Sequence, residues 1–285
     1  MKIGIVPNFT REKALSVTVN TVKRLRELGI DCLFDSISAK TLESSFESLT
    51  VTDDIYGSCD CIIAIGGDGS FIHTAKNAAV YKKPVLCINA GNLAFLAGLE
   101  GNELTLLQKL ILGEYETDKR MMLEVRVKEN NTEKLIGYCL NDAVAARGAD
   151  IKLLDLEIFC DGRVINSYRA DGVILSTPTG STAYSWSAGG PVIDPNLQCI
   201  MLTPICTHSP LNRSLVFNEK SVITVKTAEG CDSEWQISAD GGKAYPLSPD
   251  CELIISKSQL YAEFIRIKND EFYEILNNKL TQKWR

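Results

Sequence analysis

Apolar and polar positions follow two regimes along this chain. In the first third, short apolar runs alternate with segments of helical spacing. Ile3 to Val6 reads as a strand, and Thr10 as the N-cap of a helix carrying Leu15, Val19, Val22 and Leu25, which Gly29 stops. Ile30 to Phe34 predicts a second short strand. Cys61 to Ile65 and Pro84 to Ile88 are continuously apolar, as strands buried on both faces of a parallel sheet must be. Between them, Ile72, Ala75 and Ala79 mark one side of a helix from Phe71 to Val80. This alternation predicts an open α/β sheet flanked by helices. After a helical stretch from Glu103 to Leu112 the period changes. Met121–Lys128, Leu135–Ala145, Leu153–Phe159, Val164–Tyr168, Val222–Lys226, Trp235–Ala239, Glu252–Ser256 and Ala262–Ile267 all read as strands. Asp161-Gly162 between two of them signals a type I′ hairpin. The expected organisation is an α/β domain over residues 1–118, a mostly antiparallel β domain over 119–268, and a helical tail over 269–285.

Composition narrows the class. The chain has 285 residues, 45% apolar and 23% charged, the balance of a globular protein with a sizeable core. Net charge is −6 and the pI about 5.2, which argues against nucleic acid or an anionic membrane as partner. No apolar run approaches the ~18 residues of a membrane span. The start Met1–Pro7 is too short for a signal peptide, so a cytoplasmic location is expected. The ten cysteines include no C-x-x-C pair and read as reduced structural thiols.

Four stretches carry candidate chemistry. Gly66-Gly67-Asp68-Gly69-Ser70 follows a buried strand and precedes a helix, the strand end where open α/β sheets bind ligands. Its glycines permit close approach and positive φ, and the helix N-terminus offers N–H groups to phosphate. An aspartate there repels phosphate, so it holds a metal or takes a proton from an attacking hydroxyl; the alternative is an Asp-Gly turn capping the helix. The loop is neither a Walker A sequence nor a dinucleotide G-x-G-x-x-G. Asn89 to Leu96 follows the next strand and can line the same crevice, or is just an αβ turn. Leu140-Asn141-Asp142 offers the donors and acceptors that grip a ribose diol, or is a polar turn at a strand edge. Asp171 to Pro191 runs from an apolar strand into a turn dense in hydroxyls and glycines around Tyr184, a ring that can pack on a base.

In the same order, Gly66–Ser70, Asn89–Leu96, Leu140–Asp142 and Thr177–Pro191 closely resemble the signature blocks of bacterial NAD kinases, and the likeness extends from Met1 to about Lys268. The Gly-Gly-Asp-Gly block is shared with phosphofructokinases, diacylglycerol kinases and sphingosine kinases; the Thr-Pro-Thr-Gly-Ser-Thr-Ala-Tyr block is far more specific. The resemblance implies a phosphofructokinase-like α/β domain, a β-rich domain, NAD in the cleft between them, and transfer of the γ-phosphate of ATP to the 2′-hydroxyl of the adenosine ribose. It implies Asp68 as the general base and Gly66, Gly67, Gly69 and Ser70 as the phosphate loop. It implies NAD contacts from Asp68, Gly69, His73, Asn141, Asp142, Lys152, Arg169, Asp171, Thr179, Thr182, Ala183, Tyr184, Ser185, Trp186 and Ser187. It further implies a divalent cation, Mg²⁺, arriving with ATP and without a fixed set of protein ligands. Some members use inorganic polyphosphate, and the family works as cytoplasmic dimers or tetramers.

The chain departs from the family pattern in places. Ala94 stands where glycine is usual before Phe-Leu, Asp142 replaces a more frequent glutamate, Trp186 replaces a leucine, and Gly242 stands where glutamine is common. His208 matches a family position and reads as structural. A lipid or sugar kinase would need an acceptor site that Thr177–Pro191 does not resemble. A non-catalytic NAD(P)-binding regulator need not keep Asp68, Asn141 and Asp142.

Overall fold

The apolar runs around Cys61 and Val85 form the middle of a parallel sheet, as their continuous hydrophobicity demands. The computed structural model describes residues 1–91, 94–149, 152–210, 212–231, 233–268 and 272–282. These form two units, one from Met1–Lys119 with the chain from Tyr261 on, the other Arg120–Leu260. Asn92 and Leu93 of the second motif, and residues 269–271 and 283–285 of the tail, lie outside the described residues.

The first unit opens with β1 (Ile3–Pro7), α1 (Ala14–Glu27), β2 (Cys32–Phe34), α2 (Ser36–Leu42), β3 (Thr50–Val51) and α3 (Ile55–Ser58). It continues through β4 (Cys61–Gly66), α4 (Asp68–Val80), β5 (Val85–Asn89), β6 (Leu99–Glu100) and α5 (Leu107–Leu112). Strands β5, β4, β1, β2 and β3 lie in that order, all parallel, with β6 added to β5. Helix α1 packs Val22 and Leu25 into the core and ends at Gly29, whose φ of +76° lets Ile30 N–H reach Leu25 C=O at 2.9 Å. Its start differs from expectation. Lys13, not Thr10, is the N-cap, because the Thr10 N–H and hydroxyl are both taken by the Asn8 carboxamide oxygen at 3.1 and 2.7 Å.

The second unit holds β7 (Glu116–Glu129) from Arg120 on, β8 (Thr132–Cys139), β9 (Asp142–Arg147), β10 (Leu154–Cys160), β11 (Arg163–Ala170) and β12 (Gly172–Ser176). After α6 (Tyr184–Ser187) come β13 (Cys199–Ile205), β14 (Leu215–Asn218), β15 (Ile223–Thr227), β16 (Trp235–Ala239) and β17 (Tyr245–Leu247). Strand β18 (Glu252–Arg266) starts here and ends in the first unit, followed by α7 (Phe272–Gln282). Six strands form one antiparallel sheet in the order β14-β13-β12-β9-β16-β17, and β10 is antiparallel to both β11 and β15. Asp161 and Gly162 both take positive φ, as the expected type I′ turn requires.

Two expected strands change. The run Leu135–Ala145 breaks into β8 and β9 at Leu140-Asn141, where side chains satisfy the backbone in place of a ladder. The runs at Glu252 and Ala262 are one strand, β18, whose Phe264 pairs in parallel with Val85 of β5. Residues 261–268, read from the sequence with the β domain, therefore group with the first unit. Cys32, Cys59, Cys61, Cys87, Cys139, Cys199 and Cys251 are buried. Burial pushes the thiols of Cys32 and Cys61 up to about 12 and that of Cys251 to about 11, so they stay protonated and pack as small apolar groups. Among the described residues no helix is long and apolar enough to cross a membrane.

Candidate active site

In the first unit the carboxyl ends of β1, β4 and β5 are brought level by their register: Pro7 pairs with Ile65, and Gly66 with Asn89. The segments that follow are tied to one another. Asn8 donates from Nδ2 to Ser70 Oγ at 2.7 Å, and Ala90 N–H reaches Gly66 C=O at 2.8 Å. Asp68 occupies the first position of α4, and its carboxylate accepts from Phe95 N–H through Oδ2 and Leu96 N–H through Oδ1, both at 3.0 Å. The first two sequence motifs thus meet through Asp68. The aspartate is not the helix cap, since Gly67 is the N-cap and makes no side-chain bond.

The glycines act differently from expectation. Gly66, Gly67 and Gly69 do not take positive φ; Gly67 is extended at φ −133°. Gly66 is glycine because a Cβ would come within 2.8 Å of Ser70 Oγ. Gly69, in the first turn of α4, would meet nothing within 4 Å. Packing does not require a glycine there, so the open space suits close approach of a ligand to helix N–H groups. His73 lies one turn further on and is exposed.

In the second unit, Leu140-Asn141-Asp142 and the Thr177 run also meet. Thr177 Oγ1 donates to Leu140 C=O at 2.6 Å, and Thr177 N–H to Asn141 C=O at 2.9 Å. Gly180 lies so close that a Cβ would sit 2.1 Å from the Asn141 carbonyl oxygen. From the other direction the Asp240 carboxylate accepts the N–H groups of Leu140, Asn141 and Asp142 at 2.8, 2.8 and 3.0 Å. Asp240 N–H returns to Asp142 C=O at 2.9 Å. Every backbone donor and acceptor of the tripeptide is therefore satisfied by two residues, Thr177 and Asp240. Asp142 itself is 5% exposed.

Much of the hydroxyl density in the Thr177–Pro191 run serves the fold. Ser181 Oγ donates to Pro178 C=O and accepts from Ile193 N–H. Ser185, expected to contact NAD, is buried, with its hydroxyl 2.8 Å from Thr203 Oγ1. Thr179 is buried and accepts from the buried Arg120 at 3.3 Å, while Thr182 Oγ1 turns back to Thr179 C=O. Ala183 and Trp186 are partly buried. The groups offered to solvent are Tyr184, 45% exposed, and Ser187. Arg169 is exposed and 3.9 Å from Asp155, and its C=O accepts from His208 N–H at 2.8 Å. Asp171 is paired with Arg147 at 2.8 Å, and Lys152 is exposed.

Sequence reasoning missed Asn8, Arg120, Arg147 and Asp240. Asp240 stood out only as the lead-in to Gly242, a position where the family commonly has glutamine; its reach to residues about a hundred positions earlier has no local signature. Among the described residues no three His, Cys, Asp or Glu side chains are placed to hold a metal.

A glycine loop at a parallel strand end, opening a helix with a carboxylate in its first turn, is the architecture of a phosphotransferase. Comparison with known proteins narrows the class. Residues 3–115 match the ATP-NAD kinase N-terminal domain and residues 140–267 the ATP-NAD kinase C-terminal domain. The chain is 38% identical over 283 residues to an NAD kinase of Thermoanaerobacter sp. strain X514, covering 99% of each. It is 37% identical, at the same coverage, to one from Caldanaerobacter subterraneus subsp. tengcongensis. A yeast NADH kinase crystallised with NADH superposes with a TM-score of 0.88 at 25% identity, over 99% of this chain and 87% of that one. An NAD kinase from Archaeoglobus fulgidus in complex with ATP shares the fold with a TM-score of 0.74 at 22% identity, over 99% of both. This chain belongs to the ATP-NAD kinase family.

Proposed function

We propose that the chain transfers the γ-phosphate of ATP to the 2′-hydroxyl of the adenosine ribose of NAD, giving NADP and ADP. The observation that carries this reading is the seating of Gly180, from the family's most specific block, on the backbone of Asn141. That contact joins the run bearing Tyr184 to the Asn141-Asp142 pair, so base packing and ribose grip come from one rigid piece of the second unit. Asn141 and Asp142 bond the ribose hydroxyls, and Tyr184 packs on a base.

In the transfer, the 2′-oxygen forms a bond to the γ-phosphorus as its proton leaves, and the bond from that phosphorus to the β,γ-bridging oxygen breaks to release ADP. Asp68 accepts the proton. Its two hydrogen bonds from Phe95 and Leu96 fix the carboxylate in place. The N–H groups at the start of α4, uncovered at Gly69, receive phosphate oxygens. When bound with ATP, Mg²⁺ would neutralise charge on the phosphates, keeping several waters as ligands.

The test is production of NADP from NAD and Mg-ATP by wild type and Asp68→Asn. Turnover should fall about 10²–10⁴-fold in the variant, with NAD affinity changed far less. Near-normal turnover would remove Asp68 as base; collapse of binding together with turnover would reassign it to holding the Phe95-Leu96 backbone. We also propose a cytoplasmic homodimer or homotetramer. Sedimentation should show the oligomer at micromolar concentration, and a fully active monomer would exclude it.

A further inference from the structure

Asp240 lies in no expected motif, yet it makes the most concentrated set of contacts to the ribose-gripping segment. We infer that Asp240 is a positioning residue for NAD: its carboxylate sets the aim of the Asn141 and Asp142 side chains by holding the backbone that carries them. The inference rests on the reading of that pair as the ribose grip.

The geometry requires a carboxylate. Oδ1 accepts from both Asn141 and Asp142, and Oδ2 from Leu140. An aspartate offers two acceptor oxygens and a charge that strengthens each bond; an asparagine offers one oxygen and turns its NH₂ against a backbone donor. Turn formation alone does not explain the residue. Asp240 and Gly241 take φ of +50° and +65°, the type I′ conformation, joining β16 to β17. Asparagine serves such a turn equally well. The hairpin tip is also closed without the carboxylate, by Gly242 N–H to Ala239 C=O at 3.0 Å and Ser238 Oγ to Gly242 C=O at 2.8 Å. Asparagine at 240 therefore keeps the hairpin and weakens the grip on residues 140–142.

The strained backbone points the same way. Positive φ is uncommon for a residue with a side chain, and here it lets one residue donate its N–H to Asp142 C=O while its carboxylate reaches back over three successive amides. With Thr177 holding the carbonyls of Leu140 and Asn141, the tripeptide is fixed on both sides. Its side chains are then presented with little freedom to lose on binding, which is how a preorganised site gains affinity.

The experiment compares wild type with Asp240→Asn, Asp142→Ala, the pair Asn141→Ala/Asp142→Ala, and the triple variant adding Asp240→Asn. For each, kcat and KM are measured for NAD and ATP, with melting followed by circular dichroism. Asp240→Asn should raise the NAD KM about tenfold and leave the ATP KM within about twofold, with a cooperative melt retained. In the Asn141→Ala/Asp142→Ala background the same change should alter NAD kcat/KM by less than about twofold, because the groups it aims are gone. A full tenfold effect in both backgrounds would overturn the inference, as would an unchanged NAD KM in Asp240→Asn alongside a raised one in Asp142→Ala. If Asp142→Ala leaves the NAD KM unchanged, the ribose-grip reading falls, and the positioning role falls with it.

Discussion

Two glycines show how differently one residue type is used. A Cβ at Gly180 would stand 2.1 Å from Asn141 O and 2.5 Å from its carbonyl carbon, so backbone must move. Overpacking of this kind costs about 1–3 kcal/mol and more where no side chain can yield. Gly180→Ala should thus lower the melting temperature by on the order of 2–12 °C and raise the NAD KM. Gly69 faces nothing within 4 Å and lies in the first turn of a helix, where alanine is the better residue. Gly69→Ala should keep or raise the melting temperature, by up to ~1 kcal/mol of stability, while lowering kcat/KM for both substrates. Melting curves beside kinetics check the pair: a Gly69→Ala enzyme with normal activity would show that its open space is not used by ligand. Gly69 was legible in the sequence as part of a phosphate loop. The requirement at Gly180 was not, because the atom it avoids belongs to a residue 39 positions earlier.

At the scale of elements, the sequence was readable where burial on both faces or a local turn decided the outcome. Strands β4 and β5 are buried throughout and were found within a residue, as was β16. The Asp161-Gly162 hairpin is encoded in its own two residues. Errors came where a distant side chain competes for the backbone. Leu140 and Asn141 fit a strand by composition, but Thr177 and Asp240 take their N–H and C=O groups, and the ladder stops. A local competitor, Asn8 two residues earlier, likewise delays α1 past Thr10. These interruptions are where the candidate ligand groups sit. A segment freed from the ladder can present its side chains off the sheet, so one failure of pattern reading falls at the candidate site. The hydroxyl-rich run stands out in the sequence as a candidate binding block. Its inward hydroxyls at Ser181 and Ser185 could not be told from outward ones, because serine carries no burial signal of its own.

On the scale of the whole molecule, the first unit is assembled from two separated pieces of chain. Strand β18 enters it at Tyr261 and lays Phe264 beside Val85 of β5. Phe264, Ile265 and Ile267 are 1%, 1% and 6% exposed, and the two isoleucines belong to the core that includes Ile63, Leu86 and Ile88. Arg266 bonds Asp118 at 3.2 Å and Ala97 C=O at 3.2 Å, and Lys268 bonds Glu103 at 2.9 Å. Each of the three apolar side chains is worth about 1.5–3 kcal/mol when buried. Together they match a large part of the roughly 5–15 kcal/mol that holds a domain folded. A fragment of residues 1–119 alone should therefore lack a cooperative melt by circular dichroism. Lys119 and Glu263 form an ion pair at 3.0 Å, so the ends of the two pieces are close enough for a short linker. Residues 1–119 joined through a few glycines and serines to residues 261–285 should melt cooperatively. A sharp transition in the 1–119 fragment by itself would show that the returning strand decorates a unit that is already complete.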